Sequence, residues 1–140
     1  MTNAILEAMS QHPEAGDEFR VPSRGRPGRK PEDAARRALR REAFGRRLRR
    51  LREEAGLSLG QVAELTGLTS PRKLAQYETT CYPPGDIVAL LAPHYRIEAR
   101  DLAEMVLMHS DPALFEAITG RRGCHPTRRA VAERLEEAEI

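Results

Sequence analysis

An all-α fold is predicted by three features of the chain. Its apolar content is mostly Leu, Ala, Val and Ile; aromatic residues make up only 4% and there is no Trp, as suits a small helical core. Apolar residues recur every three to five positions through residues 31–55, the period of one helix face. Helix start and stop signals also alternate: Pro31, Ser58, Pro71 and Asp111-Pro112 open segments, and Gly56, Gly67 and Gly120 close them. At 140 residues there is room for one domain plus arms. The expected division is an N-terminal arm (1–30), a helical domain (31–109) and a C-terminal helical tail (110–140).

Residues 2–12 could form a short helix through Ile5, Leu6 and Met9, but their acidity suits an arm. His12 to Lys30 is rich in Pro, Gly and charge, the composition of a linker. Pro31 then opens a long helix, with Glu32 and Asp33 in the first turn complementing its dipole. Ala35, Leu39, Ala43/Phe44, Leu48, Leu51 and Ala55 form its apolar stripe. Arg36, Arg37, Arg40, Arg41, Arg46, Arg47, Arg49 and Arg50 surround that stripe, and Gly56 ends the helix.

Ser58 to Glu78 reads as two short helices joined by a tight turn. Ser58 and Gln61 make an S-x-x-Q capping box. Val62, Ala63 and Leu65 give the first helix an apolar side. Gly67 supplies the positive φ of a sharp turn, and Leu68 plugs the core from within it. Thr69 or Ser70 caps the second helix, with Pro71 in its first position. That helix carries Arg72, Lys73 and Gln76 on one side and Leu74 and Tyr77 on the other.

After a Pro-rich loop, Gly85 or Asp86 caps a helix with Val88, Leu91, Ala92 and Tyr95 inward, kinked or ended by Pro93. Arg96-Ile97 is a bend. Ala99 to His109 is the fifth helix and buries Leu102, Met105 and Val106. Ala113 to Thr119 and Thr127 to Ala138 form the tail, the latter with Val131, Leu135 and Ala138 on one face. Such narrow stripes cannot fold alone, so the tail must dock on the body or on a second copy.

The net charge of +2 conceals segregation. Residues 1–19 hold four acids and no Lys or Arg; residues 20–52 hold fourteen Lys/Arg against three acids; residues 53–140 hold nine against fourteen. So dense a basic block implies a polyanionic partner. Cys81 and Cys124 are too few and too far apart for a disulfide framework or a CxxC metal site. No apolar run approaches a membrane span, and the first apolar cluster, Ala4 to Met9, is interrupted by Glu7, so neither a membrane segment nor a signal peptide is expected. His94, His109, Cys124 and His125 are scattered and no catalytic motif appears; neither an enzyme nor a cofactor is expected.

The stretch FGRRLRRLREEAGLS, followed by QVAELTGL and LAQYE, resembles the lambda-repressor-like helix-turn-helix proteins of the Cro/C1 or XRE type. The resemblance runs from about Phe44 to Leu102. It implies a five-helix domain, here with an extended basic first helix and a two-helix tail, and a homodimer on double-stranded DNA. It also implies that Arg52 and Glu78 form a structural ion pair. The sequence departs from the family at Leu59, where a Gln is usual, at Ala75, at Pro93, and in one additional residue around Thr69 to Arg72.

Arg suits the guanine O6/N7 edge and Gln the adenine N6/N7 edge, so Arg72, Lys73 and Gln76 are the candidate base and phosphate contacts. Thr69 and Ser70, at a helix N-terminus, suit a phosphate; Arg46, Arg47 and Arg50 are candidate backbone contacts, with a solvated helix face as the alternative for each. In the arm, Arg24-Gly25-Arg26-Pro27, followed by Arg29 and Lys30, resembles an AT-hook, an extended segment that lies in a narrow A·T minor groove; nonspecific phosphate contact and a plain flexible linker are the alternative readings. The expected function is a cytoplasmic, nucleoid-associated transcriptional regulator specific for a DNA sequence. Two rival readings are an architectural DNA-binding protein of low specificity, and an antitoxin-like module that binds a protein through its acidic N-terminus or C-terminal helices.

Overall fold

Pro31 starts a 24-residue helix, α1 (Pro31–Glu54), with Glu32 and Asp33 in its first turn as the sequence predicts. The computed structural model describes residues 30–68 and 70–139, which places Thr69, the RGRP motif and the 2–12 stretch outside the described residues. Six further helices follow: α2 (Leu59–Thr66), α3 (Pro71–Thr79), α4 (Gly85–His94), α5 (Ala99–Ser110), α6 (Pro112–Thr119) and α7 (Arg128–Glu139). Among the described residues there is no strand.

The turns are built by the residues that punctuate the sequence. Gly56, Gly67 and Gly120 all take positive φ, 73°, 73° and 70°, a conformation that is costly for residues with a Cβ. At the start of α2, Gln61 N–H donates to Ser58 Oγ (3.1 Å) and Ser58 N–H donates to Gln61 Oε1 (2.8 Å), completing the capping box. Asp111 caps α6 through the Leu114 N–H, and Thr127 accepts from the Ala130 N–H just before α7. The start of α4 differs from expectation. Its N-cap is Pro84, and neither Gly85 nor Asp86 supplies a side-chain cap. Pro93 sits in the last turn of α4, so the helix ends one residue later rather than kinking in its middle. Arg96 then takes φ 57°, the one non-glycine with positive φ among the described residues, and makes the bend before α5.

One apolar core joins α1 to α5. Phe44 and Leu48 of α1, Val62 and Ala63 of α2, Leu74 and Tyr77 of α3, Ile87, Val88, Leu91 and Ala92 of α4, and Leu102 and Met105 of α5 are all buried in it. Each large side chain so buried contributes about 1.5–3 kcal/mol. Leu68 packs against the core from the turn, as predicted. Leu65 does not: it is 53% exposed, because α2 has only eight residues and turns Val62 and Ala63, not Leu65, toward its neighbours.

The tail docks on the body. α6 packs on α5 and buries Phe115. Val131 of α7 is buried, and with Leu135 it lines a groove shared with Glu32 and Arg36 of α1. Arg134 reaches Glu42 of α1 at 2.7 Å. Ala138, assigned to the apolar face by its spacing, is exposed because the face narrows toward the end of α7. Leu114 and Ile118 of α6 stay open to solvent.

His109 ties α5 to α1. It is buried, its Nδ1–H donates to the Met105 carbonyl (2.7 Å), and its ring meets Phe44 edge-on at 5.7 Å. Burial, aided by Arg47, Arg40 and Arg41, holds the imidazole below its usual pKa. The unfolded chain takes up this proton near pH 6.5, whereas the folded chain resists it to lower pH. Stability from the neutral ring is therefore complete above about pH 6.5 and is lost as pH falls through the depressed folded value. Urea midpoints of the wild type should drop from pH 7.5 to pH 5. His109→Gln, which cannot titrate, should show a shallower drop over that interval; parallel curves for the two proteins would remove His109 as the cause.

Candidate nucleic-acid interface

The turn and α3 are fixed by short-range signals. Gly67 reverses the chain after α2. Ser70 is the N-cap of α3, accepting from Arg72 N–H (3.2 Å), and Pro71 follows in the first turn. The period of α3 buries Leu74 and Tyr77. It leaves Arg72 and Lys73 exposed and Gln76 and Ser70 half-buried on the opposite side. The Lys73 ammonium lies 5.8 Å from the Tyr77 ring centre, along the helix surface. Hydroxyl, guanidinium, ammonium and carboxamide thus share one short helix, with its N-terminal N–H groups beside them. This assortment can donate to phosphates and to base edges.

The C-terminal end of α3 is held by α1. Arg52 Nε donates to Glu78 Oε2 at 2.7 Å and Nη2 to Oε1 at 3.2 Å, a bidentate pair whose side chains are only 11% and 7% exposed. The remaining Arg52 Nη1 donates to the Leu57 carbonyl (2.9 Å), so the guanidinium also braces the turn between α1 and α2. The hydrogen bond to Glu78 raises the Arg52 pKa. Beside the pair lies buried Tyr95, its phenol pushed up to about 12, chiefly by burial. The Arg52–Glu78 assignment holds.

The other arginines of α1 divide. Arg46 is exposed and borders a groove with Gly45, Glu78 and Thr79, next to the end of α3. Arg47, one residue on, points away from it: its Nη1 is 3.9 Å from Met108 Sδ, and it shares a different groove with Ile97 and Met105. The structure therefore brings together Ser70, Arg72, Lys73 and Gln76, sets Arg46 near the far end of the same helix, and places Arg47 against α5. Lys30 is exposed ahead of α1. Arg24, Arg26, Arg29 and Thr69 lie outside the described residues.

Two arginines counted with the basic flank of α1 are half-buried and bonded to other helices. Arg40 Nε donates to the His109 carbonyl at the end of α5 (2.9 Å). Arg41 Nη2 donates to the Gln76 and Tyr77 carbonyls of α3, at 3.2 and 2.5 Å. Composition offers no signal for either role. Gly45 does offer one. A glycine in mid-helix costs about 1 kcal/mol relative to Ala, and here a Cβ would come 2.1 Å from the Glu78 carbonyl oxygen.

Cys81 and Cys124 are free thiols. Among the described residues no group of three or more His, Cys, Asp or Glu side chains could hold a metal ion, and no helix is long and apolar enough to cross a membrane.

With this geometry the chain carries a helix-turn-helix domain, the class of module that binds DNA. Residues 43–105 match the model of a family described as a helix-turn-helix domain; that span begins within α1 and ends within α5, leaving the first three turns of α1 and the tail outside it. No curated protein and no solved structure gives a significant match to the chain.

Proposed function

We propose that the protein is a sequence-specific transcriptional regulator of the Cro/C1 or XRE type, reading double-stranded DNA with α3. The observation that carries this reading is the division of α3. Leu74 and Tyr77 anchor it in the core, while Ser70, Arg72, Lys73 and Gln76 face outward from a turn built by Ser58, Gly67 and Pro71. Arg72 and Gln76 are assigned to base edges, Ser70 and Lys73 to phosphates, and Arg46 to the backbone flanking α3. The protein acts as a homodimer on two half-sites about 34–36 Å apart, at the nucleoid and without a cofactor or catalytic step. The Arg24 to Lys30 segment adds affinity as a tethered basic arm in the flanking minor groove.

Selection of duplexes from a random library by the intact protein tests this reading. A defined motif is expected, and Arg72→Ala and Gln76→Ala should each lose about 1–3 kcal/mol of discrimination at one base pair of it. Recovery of no motif, with affinity governed by salt alone, would favour an architectural role instead.

A further inference from the structure

We infer that Arg41, although it lies within the basic run of α1, does not contact DNA but is a positioning residue that sets the base discrimination of α3. The inference rests on the reading of α3 as the DNA-reading helix. An arginine in such a run is ordinarily assigned to phosphates. Here the guanidinium is turned inward. Its Nη2 donates to two successive carbonyls in the last turn of α3, those of Gln76 and Tyr77, and its carbon lies 5.0 Å from the Tyr82 ring centre and 5.3 Å from that of Phe44. Nε and Nη1 are buried and have no hydrogen-bond partner among the described residues. Its hydrogen bonds therefore all go to α3.

Both carbonyls lie in the last turn of α3, where helix carbonyls run short of intrahelical donors, and a cation there also meets the negative end of the helix dipole. The Gln76 carbonyl additionally accepts from the Thr80 and Cys81 N–H groups, at 2.7 and 2.9 Å. Arg41 thus grips the residue whose carboxamide is assigned to a base edge. It does so from α1, across a contact closed by Gly45 against the Glu78 carbonyl. Arg52 holds the same turn through the Glu78 side chain. Arg52 holds the Glu78 carboxylate, and Arg41 holds the two backbone carbonyls that precede it, so together they restrain three successive residues of the helix end. A small misplacement of a reading helix weakens base contacts, which need close geometry, more than phosphate contacts, which tolerate movement.

The distinguishing substitution is Arg41→Lys. It keeps the charge and so would keep a phosphate contact, but an ammonium on a shorter stem lacks the guanidinium plane that lies over Phe44 and Tyr82 while Nη2 reaches both carbonyls. Arg41→Lys and Arg41→Met are compared with wild type on the duplex selected by the wild-type protein and on a shuffled duplex of the same composition, each over a salt series. Both variants should lose about tenfold of the selected-to-shuffled ratio, with affinity for the shuffled duplex and its salt slope unchanged. Hydrogen exchange of the Thr80 and Cys81 amides should quicken in both, a readout that needs no DNA. If Arg41→Met is unfolded at the binding temperature, Arg41→Lys decides alone. A salt slope reduced by about one in Arg41→Met and intact in Arg41→Lys would make Arg41 a phosphate contact and overturn the inference. So would an unchanged ratio in both variants. If the wild type selects no motif, it is the reading of α3 that fails, and the exchange rates still report whether the grip exists.

Discussion

Glu78→Ala should destabilise the fold by about 3–5 kcal/mol, the cost of leaving a buried charge unpaired. The reason lies in the surroundings of Arg52. Its guanidinium is almost fully enclosed and loses two of its three described acceptors with the carboxylate. The pair also joins α1 to the end of α3, so its loss would loosen the face assigned to DNA as well as the core. Urea denaturation at pH 7 measures the effect as a lower midpoint at unchanged slope. A companion variant separates the pair's net worth from the penalty of orphaning Arg52. Arg52→Met with Glu78→Leu removes both charges and should recover most of the stability, because apolar replacements of a buried pair are often neutral. A loss under 1 kcal/mol in Glu78→Ala would mean that water reaches the guanidinium and that the pair is of the weak surface kind.

Gly45→Ala is expected to destabilise as well, although alanine is the better helix former by about 1 kcal/mol. The added methyl would sit 2.1 Å from the Glu78 carbonyl oxygen and 2.9 Å from its carbon, both rigid backbone atoms that cannot turn aside. α1 and the end of α3 would have to separate, which strains the Arg52–Glu78 pair and the Arg41 contacts together. Overpacking of this kind costs about 1–3 kcal/mol, and here it should also reduce DNA discrimination. An alanine variant more stable than wild type would show that the two helices can part without loss. The same exchange at Gly60, where the nearest atom to an added Cβ is the Ser58 hydroxyl at 3.9 Å, is the control and should lack the penalty.

Local signals made much of this molecule legible in its sequence. Ser58 with Gln61, Gly67, Ser70 with Pro71, and Asp111 with Gly120 act over three or four residues, and each behaves as those residues dictate. Leu74 and Tyr77 fall inward because their spacing fits one helix face. What was illegible depends on partners far along the chain. Arg40 and Arg41 look like their exposed neighbours Arg46 and Arg49; only the folded arrangement shows that they end on carbonyls of α5 and α3. Leu65 looks like a core residue until the short α2 turns it out. Pro84 displaced the expected cap of α4 because backbone geometry alone started that helix. The resemblance supplied the Arg52–Glu78 pair, which no spacing rule would have matched across 26 residues.

The docking of α7 on α1 has a consequence for the order of events during synthesis. Glu42 and Arg134 are separated by about ninety residues, a stretch that takes roughly 5–20 s to translate. Through that interval the early turns of α1 exist without the helix that later lies beside them, whereas the Arg52–Glu78 pair can close as soon as α3 has emerged. The partners of the helix-turn-helix thus leave the ribosome before α7 does, and the first turns of α1 acquire their cover last. Val131→Asp, which strips the buried anchor of α7, should therefore expose the early turns of α1 to faster amide exchange and leave the exchange of α3 unchanged.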